Sequence, residues 1–320
     1  MRAVAAPAGL KGVLSPLEAA AFLAEGLTRA GADVDELPVA DGGEGTAAVL
    51  HATLGGEWRT ADVVDALGGP TSAVWLLLED GTAVVESAQA IGLPQLGGAL
   101  DPLRASSRGL GRLLLAALAA EPSSILVCLG GSATVDGGVG MREVAGARLR
   151  EVPLRVACDV RNPLLGERGA ARVFGPQKGA DAAAVEVLEA RLAALEELRP
   201  YVELPGAGAA GGLGAAFASL GAVRVEGAEL LLDLVGVDDR AREAGLVVTG
   251  EGAVDATTYE GKAPGAVVAR CARLGIPCAL FGGIVRDGIA AHALSGRPER
   301  AGEDLVELGE ELGRLFFAAR

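Results

Sequence analysis

The sequence predicts an α/β protein of two domains, and three observations predict it. The chain has 320 residues, about two domains at ordinary domain size. Its opening segment runs strand, glycine-rich loop, helix, twice over, which is the βαβ alternation of a parallel sheet. From 56 to 90 that pattern gives way to strands joined by tight turns, a meander of antiparallel character that opens a second domain.

Residues 2–6 read as a first strand ended by Pro7, and 8–12 as a loop carrying Lys11. Ser15, Pro16 and Glu18 form an N-cap, a first-turn proline and a capping-box acid, so a helix is expected over 16–30. A second strand at 34–38 leads into Ala40-Asp41-Gly42-Gly43-Glu44-Gly45, then a helix over 44–54. The meander turns at Gly68-Gly69-Pro70 and at Asp80-Gly81, and an amphipathic helix is expected over 102–120. The apolar run 125–129 is a buried strand breaking into Gly130-Gly131-Ser132-Ala133-Thr134-Val135-Asp136-Gly137-Gly138. A strand over 154–160 holds Asp159 near its end, and Lys178 lies in the Gly175–Gly179 loop before a helix over 181–199. The glycine run 206–214 reads as a packed helix start, and 226–244 as one helix. Strand 246–249 ends in Gly250-Glu251-Gly252-Ala253-Val254-Asp255, and Gly261-Lys262-Ala263-Pro264 opens a helix to about 274. Strand 277–281 ends in Gly282-Gly283, and a helix over 303–319 closes the chain.

Composition excludes several classes. Half the residues are hydrophobic, enough to fill a sizeable core and exclude wholesale disorder. A net charge of −14 argues against a nucleic-acid or anionic-membrane surface, since either requires a basic face. No apolar run reaches the length of a membrane span, and the N-terminus lacks a signal-peptide core, so a cytoplasmic location is expected. Cys128, Cys158, Cys271 and Cys278 form no CxxC pair and read as reduced thiols. His51 and His292 stand in no motif, which disfavours a zinc site or a histidine triad.

Two patterns carry chemistry. Strand ends place carboxylates among glycines at Asp41 and Glu44, at Asp136, at Asp159, and at Glu251 and Asp255. The chain also has 25 arginines but three lysines, Lys11, Lys178 and Lys262, each beside a glycine. A lysine kept against that bias marks a place for a compact ammonium rather than a planar fork. Glycines let backbone amides approach a phosphate, while Ser132 and Thr134 add hydroxyls. Asp41, Glu44, Asp136 and Asp255 are candidates for metal binding or acceptor activation, with Asp136 and Asp255 the ones assigned to Mg²⁺, which prefers carboxylate and phosphate oxygens. Together these fit phosphoryl transfer, which needs a metal bridging phosphates, cations to neutralise charge and a carboxylate at the acceptor. The bland alternative for each carboxylate is an N-cap or Asx-turn beside a glycine.

The segments APAGLKGVLS (6–15), PVADGGEGT (38–46), LGGSATVDGGVGM (129–141), ACDVRNPL (157–164), VFGPQKGA (173–180), PGAGAAGGLG (205–214) and TGEGAVD…GKAP (249–264) follow one another in an order that resembles the bacterial glycerate kinase family. The resemblance spans nearly the whole chain. It implies a Rossmann-like parallel-sheet domain, 1–57 with 226–320, and a second α/β domain with a mixed sheet, 58–225, with the active-site cleft between them. It implies ATP and D-glycerate as substrates, phosphoglycerate (the 2-phospho isomer) as product, and Mg²⁺ as cofactor. On this reading Asp136, Asp255, Lys178 and Lys11 are catalytic. Asp41, Glu44, Gly130, Gly131, Ser132, Thr134, Asp159, Glu251 and Lys262 bind substrate or phosphate. The oligomeric state stays open, a homodimer included. The chain departs from the family pattern at Ala8 and Gly9 (for Asp and Ser), Arg108 (for Tyr), Val135 (for Asn), Arg161 (for Asp or Thr) and Ala253 (for Arg). A kinase for another small hydroxy acid, or a ligand-binding member without catalysis, are the alternatives.

Overall fold

The computed structural model describes residues 2–286 and 288–317. In chain order, β1 (Arg2–Ala5) is followed by α1 (Pro16–Arg29), β2 (Asp33–Glu36) and α2 (Thr46–Leu54). The meander is β3 (Glu57–Val64), β4 (Pro70–Leu77) and β5 (Thr82–Glu86). Then come α3 (Ala88–Ile91), α4 (Arg108–Leu118), β6 (Ser124–Cys128), α5 (Val139–Leu149), β7 (Leu154–Ala157), α6 (Ala170–Phe174), α7 (Ala182–Ala193), α8 (Ala209–Ser219) and β8 (Val223–Val225). The remainder is α9 (Gly227–Leu234), α10 (Val237–Arg242), β9 (Leu246–Val254), α11 (Ala263–Leu274), β10 (Cys278–Val285), β11 (His292–Ala293) and α12 (Ala301–Phe317). No helix among the described residues is long and apolar enough to cross a membrane.

The chain forms two compact units. The first comprises Met1–Asp41, Ala48–Thr53 and Ala228–Arg320. Its sheet has the order β11-β10-β9-β1-β2, and every pairing is parallel. α1 starts with the capping box read from the sequence: Ser15 Oγ accepts from the Glu18 amide, and the Glu18 carboxylate accepts from the Ser15 amide. Its apolar residues recur at helical spacing, so Ala19, Leu23 and Leu27 face Leu305 and Leu308 of α12 in one core. Each fully buried leucine there contributes about 2 kcal/mol of transfer free energy.

The second unit comprises Gly42–Ala47 and Leu54–Gly227. Its sheet has the order β3-β4-β5-β6-β7-β8, antiparallel through β3, β4 and β5 and parallel from β5 to β8. The meander and the parallel strands thus form one mixed sheet. Its main core gathers Trp75, Val85, Ile125 and Val127 with Leu110 and Leu114 of α4 and Phe217 of α8. Residues 42–47 belong here because their backbone lies against strand ends of this sheet. A Cβ on Gly130 would stand 2.6 Å from the Gly43 Cα, and one on Gly42 2.8 Å from the Ala157 Cβ.

Several elements differ from the sequence reading. β9 and β10 continue through the glycines expected to be loops, paired in register from Cys278–Val247 to Val285–Val254. Glycine weakens a strand but does not forbid one when a neighbour supplies the ladder. The expected helix over 226–244 is two, broken at Gly236, which takes φ +71°. The run 206–214 does lead into α8, through left-handed Ala210, Gly211 and Gly212. The helix expected over 102–120 begins only at Arg108, because the Ser106 amide goes to the Ala66 carbonyl and the Ser107 amide to Asp136 instead of to carbonyls one turn back.

Candidate active site

In the second unit, buried β6 delivers the chain to Gly130 and Gly131 at the carboxyl end of its sheet, where ligands of open α/β sheets bind. Gly131 is exposed and Gly130 partly so, but Ser132 and Thr134 are buried. The loop therefore has an outer face of glycine backbone and an inner face of hydroxyls. Glu44 is exposed and lies over this loop, since a Cβ on Gly131 would stand 3.9 Å from its Oε2.

Lys178 closes the inner face. It ends a 3₁₀ turn, Pro176–Lys178, and is only 3% exposed. Its Nζ donates to Ser132 Oγ at 3.2 Å and to the Thr134 carbonyl at 2.7 Å. Burial drives its pKa down from 10.5 to about 7, against the opposing pull of the Asp136 charge.

Asp136 is bound on both oxygens. Oδ2 accepts from the Ser107 amide at 2.8 Å, the Ser107 hydroxyl at 2.7 Å and the Gly140 amide at 3.2 Å, while Oδ1 accepts from the Gly138 amide at 3.0 Å. Ser107 Oγ in turn accepts from the Met141 amide at 2.9 Å. One carboxylate thus satisfies amides at the starts of both α4 and α5, where helices leave N–H groups unpaired. Gly137 and Gly138 take φ +64° and +69°, which aims those amides at it. Asp159 caps another helix start, accepting from the Gly227 amide at 2.6 Å.

Glu86 was missed in the sequence reading. It is 3% exposed at the end of β5 and accepts from the amides of Ala47 at 2.7 Å and Gly45 at 3.3 Å, so it fixes the loop that carries Glu44. Burial raises its pKa, and those backbone bonds partly offset the rise. The signal was a strand of five buried residues, TAVVE, ending on a lone carboxylate, but no glycine followed it.

In the first unit, β9 supplies the other cluster. The Ala8 amide donates to the Gly250 carbonyl at 2.9 Å, and a Cβ on Gly252 would stand 3.3 Å from the Lys11 amide, so the Lys11 loop runs beside β9. The Val39 amide donates to the Pro7 carbonyl at 2.9 Å, which brings half-buried Asp41 to the same strand ends. Lys262, N-cap of α11, meets both Glu251 oxygens, at 3.1 and 3.2 Å. Thr258 Oγ1 donates to Glu251 at 2.8 Å. Asp255 caps the 3₁₀ turn Ala256–Tyr259, accepting from the amide and hydroxyl of Thr257 at 2.9 and 2.5 Å. Those bonds lower its pKa, and Arg286 lies 3.6 Å away. Lys11 is exposed.

The predicted residues thus divide into two sets: Lys11, Asp41, Glu251, Asp255 and Lys262 in the first unit, and Glu44, Gly130, Gly131, Ser132, Thr134, Asp136, Asp159 and Lys178 in the second. Asp136 and Asp255, expected to hold metal, are instead engaged by protein donors, Asp136 by Ser107, Gly138 and Gly140 and Asp255 by Thr257. Among the described residues no three His, Cys, Asp or Glu side chains gather into a metal cage. Two departures from the family pattern are neutralised locally: Arg108 pairs with Glu143 at 2.5 Å and Arg161 with Glu226 at 2.8 Å. Cys128, Cys158 and Cys271 are buried and Cys278 half-buried, and none of the four forms a disulfide.

Comparison with known proteins places these loops in context. The sequence profile of the glycerate kinase family matches residues 3–152 and 143–297. The Escherichia coli K12 protein named glycerate 2-kinase is 38% identical over 305 residues, covering 82% of this chain and 80% of its own length. The Bacillus subtilis glycerate kinase is 36% identical, covering 91% and 87%. A crystal structure from Salmonella typhimurium LT2, provisionally assigned as glycerate kinase 2, superposes with a TM-score of 0.84 at 33% identity over 100% of this chain and 99% of that one. The chain therefore belongs to the glycerate kinase family, and it is a kinase.

Proposed function

We propose that the chain transfers a phosphoryl group from ATP to D-glycerate, giving 2-phosphoglycerate, with Mg²⁺ carried on the nucleotide. The observation that carries this reading is the two-faced loop at 130–134: exposed glycine backbone outside, and a buried ammonium and hydroxyls beneath. Such a loop can accept phosphate oxygens from its outer amides without a side chain in the way. Lys11 and Lys262 supply the cations that neutralise charge on the transferring group, and Asp41 orients the acceptor hydroxyl. Glu251 holds Lys262 in place until an anion competes for it.

Mg²⁺ needs one or two carboxylates, with phosphate oxygens and water completing its shell. Glu44, exposed over the glycine loop, meets that need. When bound, Mg²⁺ would bridge phosphates and spread their charge. The relative named glycerate 2-kinase supports the choice of hydroxyl.

The test is ADP release by the purified protein with Mg-ATP and D-glycerate, with no-acceptor and no-metal controls and ³¹P NMR of the product. Glycerate-dependent release with a 2-phosphoglycerate signal is expected. Release with another acceptor and none with glycerate would sink this reading. A second reading, a kinase for a different small hydroxy acid, is favoured by Ala8 and Ala253. Both stand where the family carries charge, Asp and Arg, on segments that run side by side in the first unit. A panel of hydroxy acids separates the two.

A further inference from the structure

We propose that Lys178 is a positioning residue, which holds the 130–134 loop from beneath and governs its affinity for phosphate through the charge on its ammonium without touching the ligand. The inference rests on the reading of that loop as the phosphate site.

The geometry separates Lys178 from ligand. Its side chain is covered, and its Nζ is used on the inner face of the loop, by Ser132 Oγ and by the Thr134 carbonyl. These partners bracket Ala133, so the ammonium fixes the return of the chain immediately after exposed Gly131. A neutral amine in the same place could keep one or both hydrogen bonds, because an amine still donates. It could not keep the positive field. In a poorly screened interior, a unit charge beneath a row of amides adds strongly to their attraction for an anion.

The charge is also poised to change. Lys178 faces a hydroxyl from Ser132 and a carbonyl from Thr134, and the charged group acting on it is Asp136, whose own oxygens are occupied by Ser107, Gly138 and Gly140. With burial outweighing Asp136, protonation occurs near neutrality. Ligand and proton are then linked: an anion on the loop favours the ammonium, and the ammonium favours the anion. Phosphate affinity should fall as pH rises through neutrality.

Three lysines in 320 residues make this measurable directly. Lysine-selective ¹³C labelling gives three side-chain signals, and Lys11→Arg and Lys262→Arg assign Lys178 by elimination. Its signal should titrate near neutrality in the free protein, with its midpoint moving up on saturation with ADP. Calorimetry of ADP binding should show wild-type affinity falling from pH 6.5 to 8.5. Lys178→Met should bind ADP about tenfold more weakly at pH 6.5, within the roughly 5–150-fold range of coupling between groups that do not touch, and should lose the pH dependence that wild type shows beyond the titration of ADP itself. A purely structural lysine would lower the folded fraction of Lys178→Met but leave the pH profile of its folded molecules unchanged.

Titration of Lys178 in the ordinary lysine range overturns the inference, and that measurement requires no variant at position 178. Equal pH profiles for wild type and Lys178→Met also overturn it, as does failure of the wild type to bind ADP at pH 6.5. If Lys178 titrates and binding responds as stated while no glycerate turnover is seen, the acceptor assignment falls and the positioning role stands.

Discussion

Lys178 and Lys262 look alike in the sequence, each a rare lysine beside a glycine, yet the two units use them in opposite ways. Lys262 is 33% exposed by side chain and is neutralised by a carboxylate, Glu251. Lys178 is buried and bonds a hydroxyl and a carbonyl. The aspartates divide the same way. Asp255 caps a short turn at the surface, while Asp136 gathers three separate amides and a hydroxyl. In the first unit Lys11 is exposed and Lys262 pairs with Glu251, whereas in the second Lys178 and Asp136 are tied to backbone groups of the 130–140 stretch and set its path.

The largest expected effect tests that division at the aspartates. Asp136→Ala strands the Ser107, Gly138 and Gly140 amides, and unfolding in urea should show a loss of about 3 kcal/mol, given about 1–3 kcal/mol for each buried group left unpaired. Asp255→Ala should leave the urea midpoint nearly unchanged. Equal losses would erase the distinction between the units.

The lysines give a pH signature. A group whose folded pKa is depressed from 10.5 to about 7 binds fewer protons in the folded chain between those values. Stability should therefore rise as pH goes from about 7 towards 10.5, and the penalty should be fully present below 7. Lys178→Met should flatten that rise in thermal melts at pH 6, 7.5 and 9, and Lys262→Met should not.

Glu86 sharpens the comparison from the acidic side. Burial raises its pKa, so the folded chain holds its proton more readily than the unfolded one. Its contribution is greatest below the ordinary carboxylate range and is lost as pH rises above it. Glu86→Gln removes the buried charge and keeps an acceptor for one of the two amides, since Ala47 and Gly45 bond different Glu86 oxygens. Its melting temperature at pH 8 should stay close to that of wild type, the relief of the buried charge offsetting the one lost bond, and a marked fall would show that both carboxylate oxygens are needed.

The smallest effect is expected at a departure from the family pattern. Arg108 and Glu143 are both about half exposed, and exposed pairs contribute at most about 1 kcal/mol. Arg108→Tyr should leave stability within that margin and turnover unchanged. A change in acceptor preference would instead show that this arginine shapes the substrate.

Much of the fold was legible because it is local. Ser15 and Glu18 announced α1, the run 125–129 announced β6, and the turns at 68–70 and 80–81 announced the meander; in each case neighbours in sequence settle the conformation. The glycine motifs and the three lysines likewise located the loops. What the sequence could not show depends on partners far along the chain. Gly250 and Gly282 read as breakers, and they lie in strands because β9 and β10 lend each other a ladder. Glu86 had no motif, and it acquires a role only where the 42–47 segment returns to it. Lys11 and Lys178 have the same local signature, a lysine followed by glycine, so periodicity and composition could not tell the exposed one from the buried one. Sequence by itself determined which loops carry charge. The tertiary structure decided which of those charges lie under the backbone and which stand clear of it, because burial and its electrostatic consequences are set by contacts between distant segments.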